Sequence, residues 1–210
     1  MIDRTFANTR IYINNEFALL VPVFKFNKDI SEEYLNIVFG EDNGAKKQFE
    51  HLNTEPDLMN VFRMPKEWFD VVNQHLISAS IHHTYTEVVR RVFTSSTNTS
   101  SCLVKVQLYA THLIVAVIKD GALQFIQSFT YQSSEDILYY LLNISQRFQV
   151  NTNDLSLHVS GSIDFSSSFY NDLGKYFRNI TVDNVNPSHL ALDKGHHPSH
   201  YFTPFVNLAL

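Results

Sequence analysis

The chain has 210 residues, of which 44% are hydrophobic and 18% are charged, so it carries enough apolar material for a buried core. Its net charge of −5 excludes the basic surface that nucleic-acid binding requires, and no nucleic-acid partner is predicted. Cys102 is the only cysteine, which excludes an intrachain disulfide and a cysteine-based zinc site.

The first half of the chain is predicted to mix short strands with short helices. Strands are expected over residues 10–14, 17–26, 47–52, 60–63 and 78–83, and helices over residues 29–39, 65–76 and 86–92. Asp29 or Ser31 is predicted to cap the first helix, and Gly40 is predicted to end it. We predict that residues 1–93 form an N-terminal α/β subdomain. Residues 94–101, a polar run rich in Ser and Thr, are predicted to form a linker.

The second half has the clearest pattern of the chain. Three consecutive strands are expected over residues 102–109, 113–118 and 123–129, followed by a helix, a strand over 155–159, a helix over 166–177 and a last strand from 179. Asp120-Gly121 predicts a tight hairpin turn, since both residues tolerate positive φ. Ser133 to Asp136 predict a helix cap. We therefore predict that residues 102–210 form a second subdomain with a mixed sheet and packed helices.

Several segments resemble those of one bacterial family. They read FALLVPVFKF, NVFRMPKEWFDVV, YQSSEDILYYLLNISQRF, LHVSGSID, LGKYFRNI and HYFTPFVNL, and together they extend over nearly the whole chain. They resemble an uncharacterised family, found mainly in Bacteroidetes, with an actin-like ATPase fold similar to that of the actin-like proteins of type IV pilus assembly. The resemblance implies two subdomains with ribonuclease-H-like sheets and, in active relatives, nucleotide between them. It also implies an incomplete first subdomain, because family members carry additional strands ahead of FALLVPVFKF.

The resemblance further implies where phosphate-binding residues should lie. Active relatives carry Asp and Gly on the first strand of each half and Thr or Ser in the next turn. Carboxylates hold hydrated Mg²⁺, and Gly lets backbone N–H groups approach the phosphates. In the second half this stretch reads VKVQLYATH over residues 104–112, with Lys105 or Gln107 at the carboxylate position and no glycine. The equivalent loop of the first half would precede residue 10.

A remnant of the nucleotide cleft is therefore predicted from four residues. They are Gln107, the hydroxyl of Thr111, and the Ser160-Gly161 pair that remains of a Gly-rich nucleoside loop. No catalytic residue and no metal ligand is predicted. Asp164 near the same loop is interpreted as a solvated carboxylate.

The ten histidines raise the question of a metal site. His82 and His83 are adjacent, so on a strand they face opposite sides and cannot share an ion. His196 and His200 have helical spacing, but Pro198 disfavours a helix between them. We interpret this segment, which also contains His197, as a polar C-terminal tail.

Three functional hypotheses remain open. The favoured one is a cytoplasmic, non-catalytic scaffold or protein-interaction module that has lost ATP hydrolysis, binds an unidentified protein and has no resident cofactor. The alternative is a nucleotide-binding protein or slow ATPase that uses ATP and Mg²⁺, with the missing loop supplied by another segment or a partner. A small-ligand sensor is the third. No membrane insertion is expected, since no apolar run is long enough, and an open strand edge in the first half predicts that self-association can occur.

Overall fold

The protein is described by a computed structural model that covers residues 8–76, 78–94, 102–183 and 198–209. Contacts between Cα atoms divide the chain into two compact units, residues 1–94 and residues 95–210. Thr94 ends a helix of the first unit, and the other residues of the predicted linker, 95–101, lie outside the described part. In the described part, no helix is long and apolar enough to cross a bilayer.

In its described residues, the first unit contains two small sheets, three α-helices and a short 3₁₀ helix. Its strands are β1 (Thr9–Ile13), β2 (Ala18–Pro22), β3 (Ala45–His51), β4 (Leu58–Pro65) and β5 (Ala79–His83), and its helices are α1 (Ser31–Phe39), α2 (Lys66–His75) and α3 (Thr84–Thr94). Strand β4 lies between β2 and β3 in an antiparallel sheet, while β1 pairs with β5 in parallel. The hydrophobic centre of β4, including the fully buried Val61 and Phe62, lies in the core of this unit together with buried residues of α1 and α3.

Two details of the first unit differ from the sequence-based prediction. The strand predicted over residues 17–26 ends at Pro22, and a short 3₁₀ helix, Val23–Lys25, follows it. The N-cap of α1 is Ile30, with no side-chain cap, instead of Asp29 or Ser31. Ser31 is already the first helical residue, and its hydroxyl donates to the carbonyl of Lys28 at 2.6 Å.

The described residues of the second unit are built around one mixed sheet. Its elements are β6 (Cys102–Leu108), β7 (His112–Lys119), β8 (Ala122–Thr130), α4 (Ser134–Arg147), β9 (Ser156–Gly161), α5 (Ser168–Tyr176), β10 (Asn179–Val182), a 3₁₀ helix (Ser199–Phe202) and α6 (Thr203–Ala209). The strand order is β10-β9-β6-β7-β8, with β10, β9 and β6 parallel and β6, β7 and β8 antiparallel. This agrees with the predicted mixed sheet, which begins with three consecutive strands.

Local sequence signals explain the ends of several elements. Asp120 and Gly121 have φ values of 53° and 77°, as a type I′ hairpin turn requires. Ser133 caps α4 in a capping box with Asp136. Strands β6 and β7 are buried almost throughout, and their apolar side chains pack against α4 and α5 through residues such as Leu141 and Leu173.

Candidate functional site

The residues predicted for the nucleotide cleft gather at one end of the second sheet. In the parallel pairing of β6 with β9, Gln107 lies opposite Ser160 and Leu108 lies opposite Gly161. Thr111 lies in the exposed turn that joins β6 to β7. In sheets with parallel strands, the carboxyl ends of those strands are where ligands usually bind.

The side chains of Gln107 and Ser160, at this end of the sheet, form hydrogen bonds within the protein. Gln107 is 2% exposed, and its Oε1 accepts a hydrogen bond from the hydroxyl of Tyr109 at 3.3 Å. Ser160 is fully buried, with its hydroxyl 3.5 Å from the carbonyl of Val106. Both side chains therefore have protein partners, and only Thr111 among the four predicted residues is exposed to solvent.

Two aromatic rings occupy the turn where active relatives are expected to bind phosphate. The rings of Tyr109 and His112 stack with centroids 4.6 Å apart and an interplanar angle of 6°. The backbone N–H of Tyr109 donates to the carbonyl of His112 at 2.9 Å, and the hydroxyl of Tyr131 donates to the carbonyl of Tyr109. Burial raises the pKa of Tyr109, so this phenol stays protonated. The turn is thus closed by its own side chains.

Gly161 has a structural reason to be glycine. Its φ is +90°, and a Cβ at this position would lie 2.0 Å from the carbonyl oxygen of Leu108. The next residue, Ser162, donates its backbone N–H to the same oxygen at 2.9 Å. Close approach of the β9 and β6 backbones therefore accounts for this glycine.

A buried ion pair lies within the same sheet and involves Lys105, one of the two residues at the expected carboxylate position. Lys105 on β6 is 6% exposed, and its Nζ lies 2.6 Å from Oδ2 of Asp183, just after β10. Nδ1 of His158, the register partner of Lys105, lies 3.6 Å from Oδ1 of Asp183. Burial alone raises the pKa of Asp183, but the contacts with His158 and Lys105 lower it more, so the net shift is downward. The negative charge of this carboxylate is therefore compensated by a lysine.

A cavity of about 510 Å³ opens beside the loop that follows β9. Its walls include Asp164 and Phe165 from the loop and His200 from the C-terminal 3₁₀ helix. Hydrogen bonds from Ser166 lower the pKa of Asp164, so the cavity carries one carboxylate.

His200 corrects the prediction of a polar C-terminal tail. It is 1% exposed, its Nε2 lies 2.9 Å from the carbonyl oxygen of Ile163, and its ring packs against Phe165. Residues 199–209 form the 3₁₀ helix and α6, which sequence reasoning missed. His196 and His197 lie outside the described residues. Among residues that the structure does describe, no group of three His, Cys, Asp or Glu side chains is arranged to hold a metal ion.

Two kinds of site residue were not found from the sequence. Lys105 and Asp183 form an ion pair although they lie far apart in the chain, and no local sequence pattern predicts this pairing. In the first unit, Glu50, Ser80 and His82 form a hydrogen-bonded chain. Its only signal is a Ser and a His two residues apart on a strand, which places both side chains on one face.

Comparison with known proteins places the chain in a family. Residues 1–180 match the model of the family described as "Protein of unknown function (DUF3822)". The chain belongs to the DUF3822 family. No curated protein sequence matches this member of the family at a significant level.

Two solved structures establish the fold. One is a protein from Bacteroides thetaiotaomicron VPI-5482, described as having an actin-like ATPase fold and unknown function. It matches with a TM-score of 0.81 and 16% identity, over 97% of this chain and 74% of that one. The other is the PilM–PilN type IV pilus biogenesis complex, with a TM-score of 0.63 and 10% identity, over 97% of this chain and 80% of that one. The prediction of an actin-like ATPase fold, similar to type IV pilus assembly proteins, is confirmed.

Proposed function

We propose that this DUF3822 member is a non-catalytic scaffold for protein interaction that keeps the actin-like fold and has lost ATP hydrolysis. The observation that carries the proposal is the stacked pair of Tyr109 and His112 in the β6–β7 turn. A phosphate-binding turn needs free backbone N–H groups and space for phosphate oxygens. Here the N–H of Tyr109 is bonded within the turn and the two rings fill it.

The charges around the turn also support loss of hydrolysis. A Mg²⁺-binding carboxylate is expected on β6, and the polar side chains there are Lys105 and Gln107, both buried. Lys105 brings a positive charge that would repel the ion at short range. Its partner Asp183 already has its charge compensated by that lysine.

A role in protein interaction is supported by two observations. The PilM–PilN neighbour is itself a complex of two proteins. In the first unit, Trp68 and Val71 lie three residues apart on α2 and are 63% and 47% exposed. Aromatic side chains such as that of Trp68 are enriched where proteins bind each other.

The alternative is a nucleotide-binding protein, and one observation favours it. The register of β6 and β9 brings Gln107, Ser160 and Gly161 to the same sheet end as Thr111, as a remnant cleft requires. In this reading, ATP would displace the Tyr109 ring and meet the Thr111 hydroxyl.

Thermal unfolding with ATP and Mg²⁺, compared with Mg²⁺ alone, separates the two functions. Ligand at 100 times its dissociation constant adds about 2.7 kcal/mol of stability, which for a chain of this size raises the melting temperature by roughly 5–10 °C. The scaffold predicts no shift. A shift that Thr111→Val reduces, and that the control Thr130→Val leaves unchanged, would establish nucleotide binding at the turn. Both threonines are exposed, so neither change should disturb folding.

A further inference from the structure

A serine, a histidine and a glutamate form a continuous hydrogen-bonded chain in the first unit. Oγ of Ser80 lies 2.7 Å from Nε2 of His82, and Nδ1 of the same ring lies 2.7 Å from Oε1 of Glu50. Ser80 and His82 are two residues apart on β5, so their side chains project from the same face of the strand. Glu50 comes from β3, in the other sheet of the unit.

The position of each proton follows from these partners. A carboxylate only accepts hydrogen bonds, so Nδ1 of His82 must carry a proton and donate it to Glu50. In the neutral ring, Nε2 is then the unprotonated nitrogen and accepts the hydroxyl proton of Ser80. This is the arrangement in which a histidine acts as general base toward a serine and a carboxylate orients the histidine.

Burial increases along the chain from the serine to the carboxylate. Ser80 is exposed, whereas the side chains of His82 and Glu50 are 22% and 9% exposed. A reagent in solution can therefore reach the hydroxyl while the supporting groups are held inside. The hydroxyl lies at the accessible end of the chain.

Neighbouring groups hold the histidine and the carboxylate in place. The ring of Tyr12 stacks on the His82 ring with centroids 5.3 Å apart. The backbone N–H of His83 donates to Oε2 of Glu50 at 3.2 Å, and the guanidinium of Arg90 lies 3.5 Å from Oε1. Both oxygens of Glu50 are engaged, which fixes its orientation toward His82.

We propose that Ser80 is an activated nucleophile that is acylated by carboxylic esters, with His82 as the general base and Glu50 as its positioning residue. This site lies in the first unit and is independent of the nucleotide question in the second. The reactive group is the hydroxyl oxygen, and the substrate class is an ester with a good leaving group.

The reaction balances with the groups present. The Oγ of Ser80 forms a bond to the carbonyl carbon while its proton moves to Nε2 of His82. The bond between that carbon and the ester oxygen then breaks, and His82 returns the proton to the departing alkoxide. The products are an acylated serine and an alcohol. With a fluorophosphonate, the P–O bond replaces the P–F bond, fluoride leaves, and the proton passes from His82 to solvent.

A fluorophosphonate is the sharper probe, because its product is stable and measured by mass. We expect the chain to gain one phosphonyl group, located at Ser80 by peptide mapping. Ser80→Ala should abolish the label, whereas Ser78→Ala, a matched change of an exposed serine two residues away, should keep it. No label, or a label that persists in Ser80→Ala, overturns the proposal.

The two supporting residues are tested by rate and pH. His82→Asn should slow labelling by at least about 100-fold, the usual contribution of a general base. Glu50→Gln should displace the pH profile of the labelling rate, a result that a merely structural role would not give. The other ionisable groups near the ring are Tyr12 and Arg10 on β1, and Arg90 and Glu87 (2.9 Å apart) on α3; all four are unchanged in both variants. An unaltered profile in Glu50→Gln, or an unaltered rate in His82→Asn, contradicts the assigned roles.

Discussion

The replacement Gly161→Ala tests whether this glycine serves packing between strands. The added Cβ would lie 2.0 Å from the carbonyl oxygen of Leu108, and 3.0 and 3.1 Å from its carbonyl carbon and nitrogen. These are backbone atoms within a strand pairing, so they cannot rotate away. A positive φ costs a non-glycine residue about 1–3 kcal/mol, and overpacking costs about 1–3 kcal/mol more.

The expected total is a loss of roughly 2–6 kcal/mol in the free energy of unfolding, the sum of those two costs. This is a large part of the stability of a typical domain. Gly121→Ala is the matched control in the same unit, since its φ is +77° but nothing lies within 4 Å of the added Cβ. The free energy of unfolding of Gly121→Ala should therefore fall only by the cost of the positive φ.

Thermal unfolding followed by circular dichroism measures both variants. At about 2–4 °C per kcal/mol for a chain of this length, Gly161→Ala should melt at least 4 °C below the wild type. It should also melt well below Gly121→Ala. Equal melting temperatures for the two variants would refute the view that strand contact dictates the glycine.

Three further predictions concern buried and capping groups. Lys105→Met removes the partner of Asp183, and breaking a buried ion pair in this way should lower the free energy of unfolding by about 3–5 kcal/mol. Urea unfolding measures this loss. A loss smaller than that of an exposed-lysine control such as Lys175→Met would contradict the pairing. Burial lowers the pKa of His83 to about 3. Between about pH 6.5 and pH 3, His83 therefore binds a proton in the unfolded chain but not in the folded chain. Stability should fall from pH 6.5 toward pH 3, less steeply in His83→Gln, and identical pH slopes would disprove the assignment. Ser133→Ala removes the cap of α4 and should cost about 1 kcal/mol, whereas Ser134→Ala, at the next position, should have little effect on the melting temperature.

The geometry around His83 supports the pH prediction. Its Nδ1 accepts the backbone N–H of Tyr85 at 3.2 Å, and its Nε2 lies 3.4 Å from Oδ1 of Asn15. A protonated ring would present a donor to the N–H of Tyr85 and lose that bond. The N–H of Tyr85 therefore favours the neutral ring, in the same direction as burial, whereas the contact with Asn15 raises the pKa of His83 by a smaller amount.

Local chemistry in the sequence determined several elements of the second unit. The Asp120-Gly121 turn, the Ser133 capping box and the apolar run of β7 act over a few residues, and each has the predicted place in the structure. The resemblance of longer segments identified the actin-like fold. The four predicted cleft residues also meet at one sheet end, although their role in binding remains a prediction.

Long-range pairing decided what the sequence left open. Strands β1 and β2 follow each other in the chain, yet β1 pairs with β5, about seventy residues away, and β2 pairs with β4. The Lys105–Asp183 pair, the buried His200 and the Ser80–His82–Glu50 chain likewise join distant segments. A strand's own residues specify that it is a strand and which face is apolar. Its neighbour depends on the packing free energy of the whole unit, and only the tertiary structure reveals it.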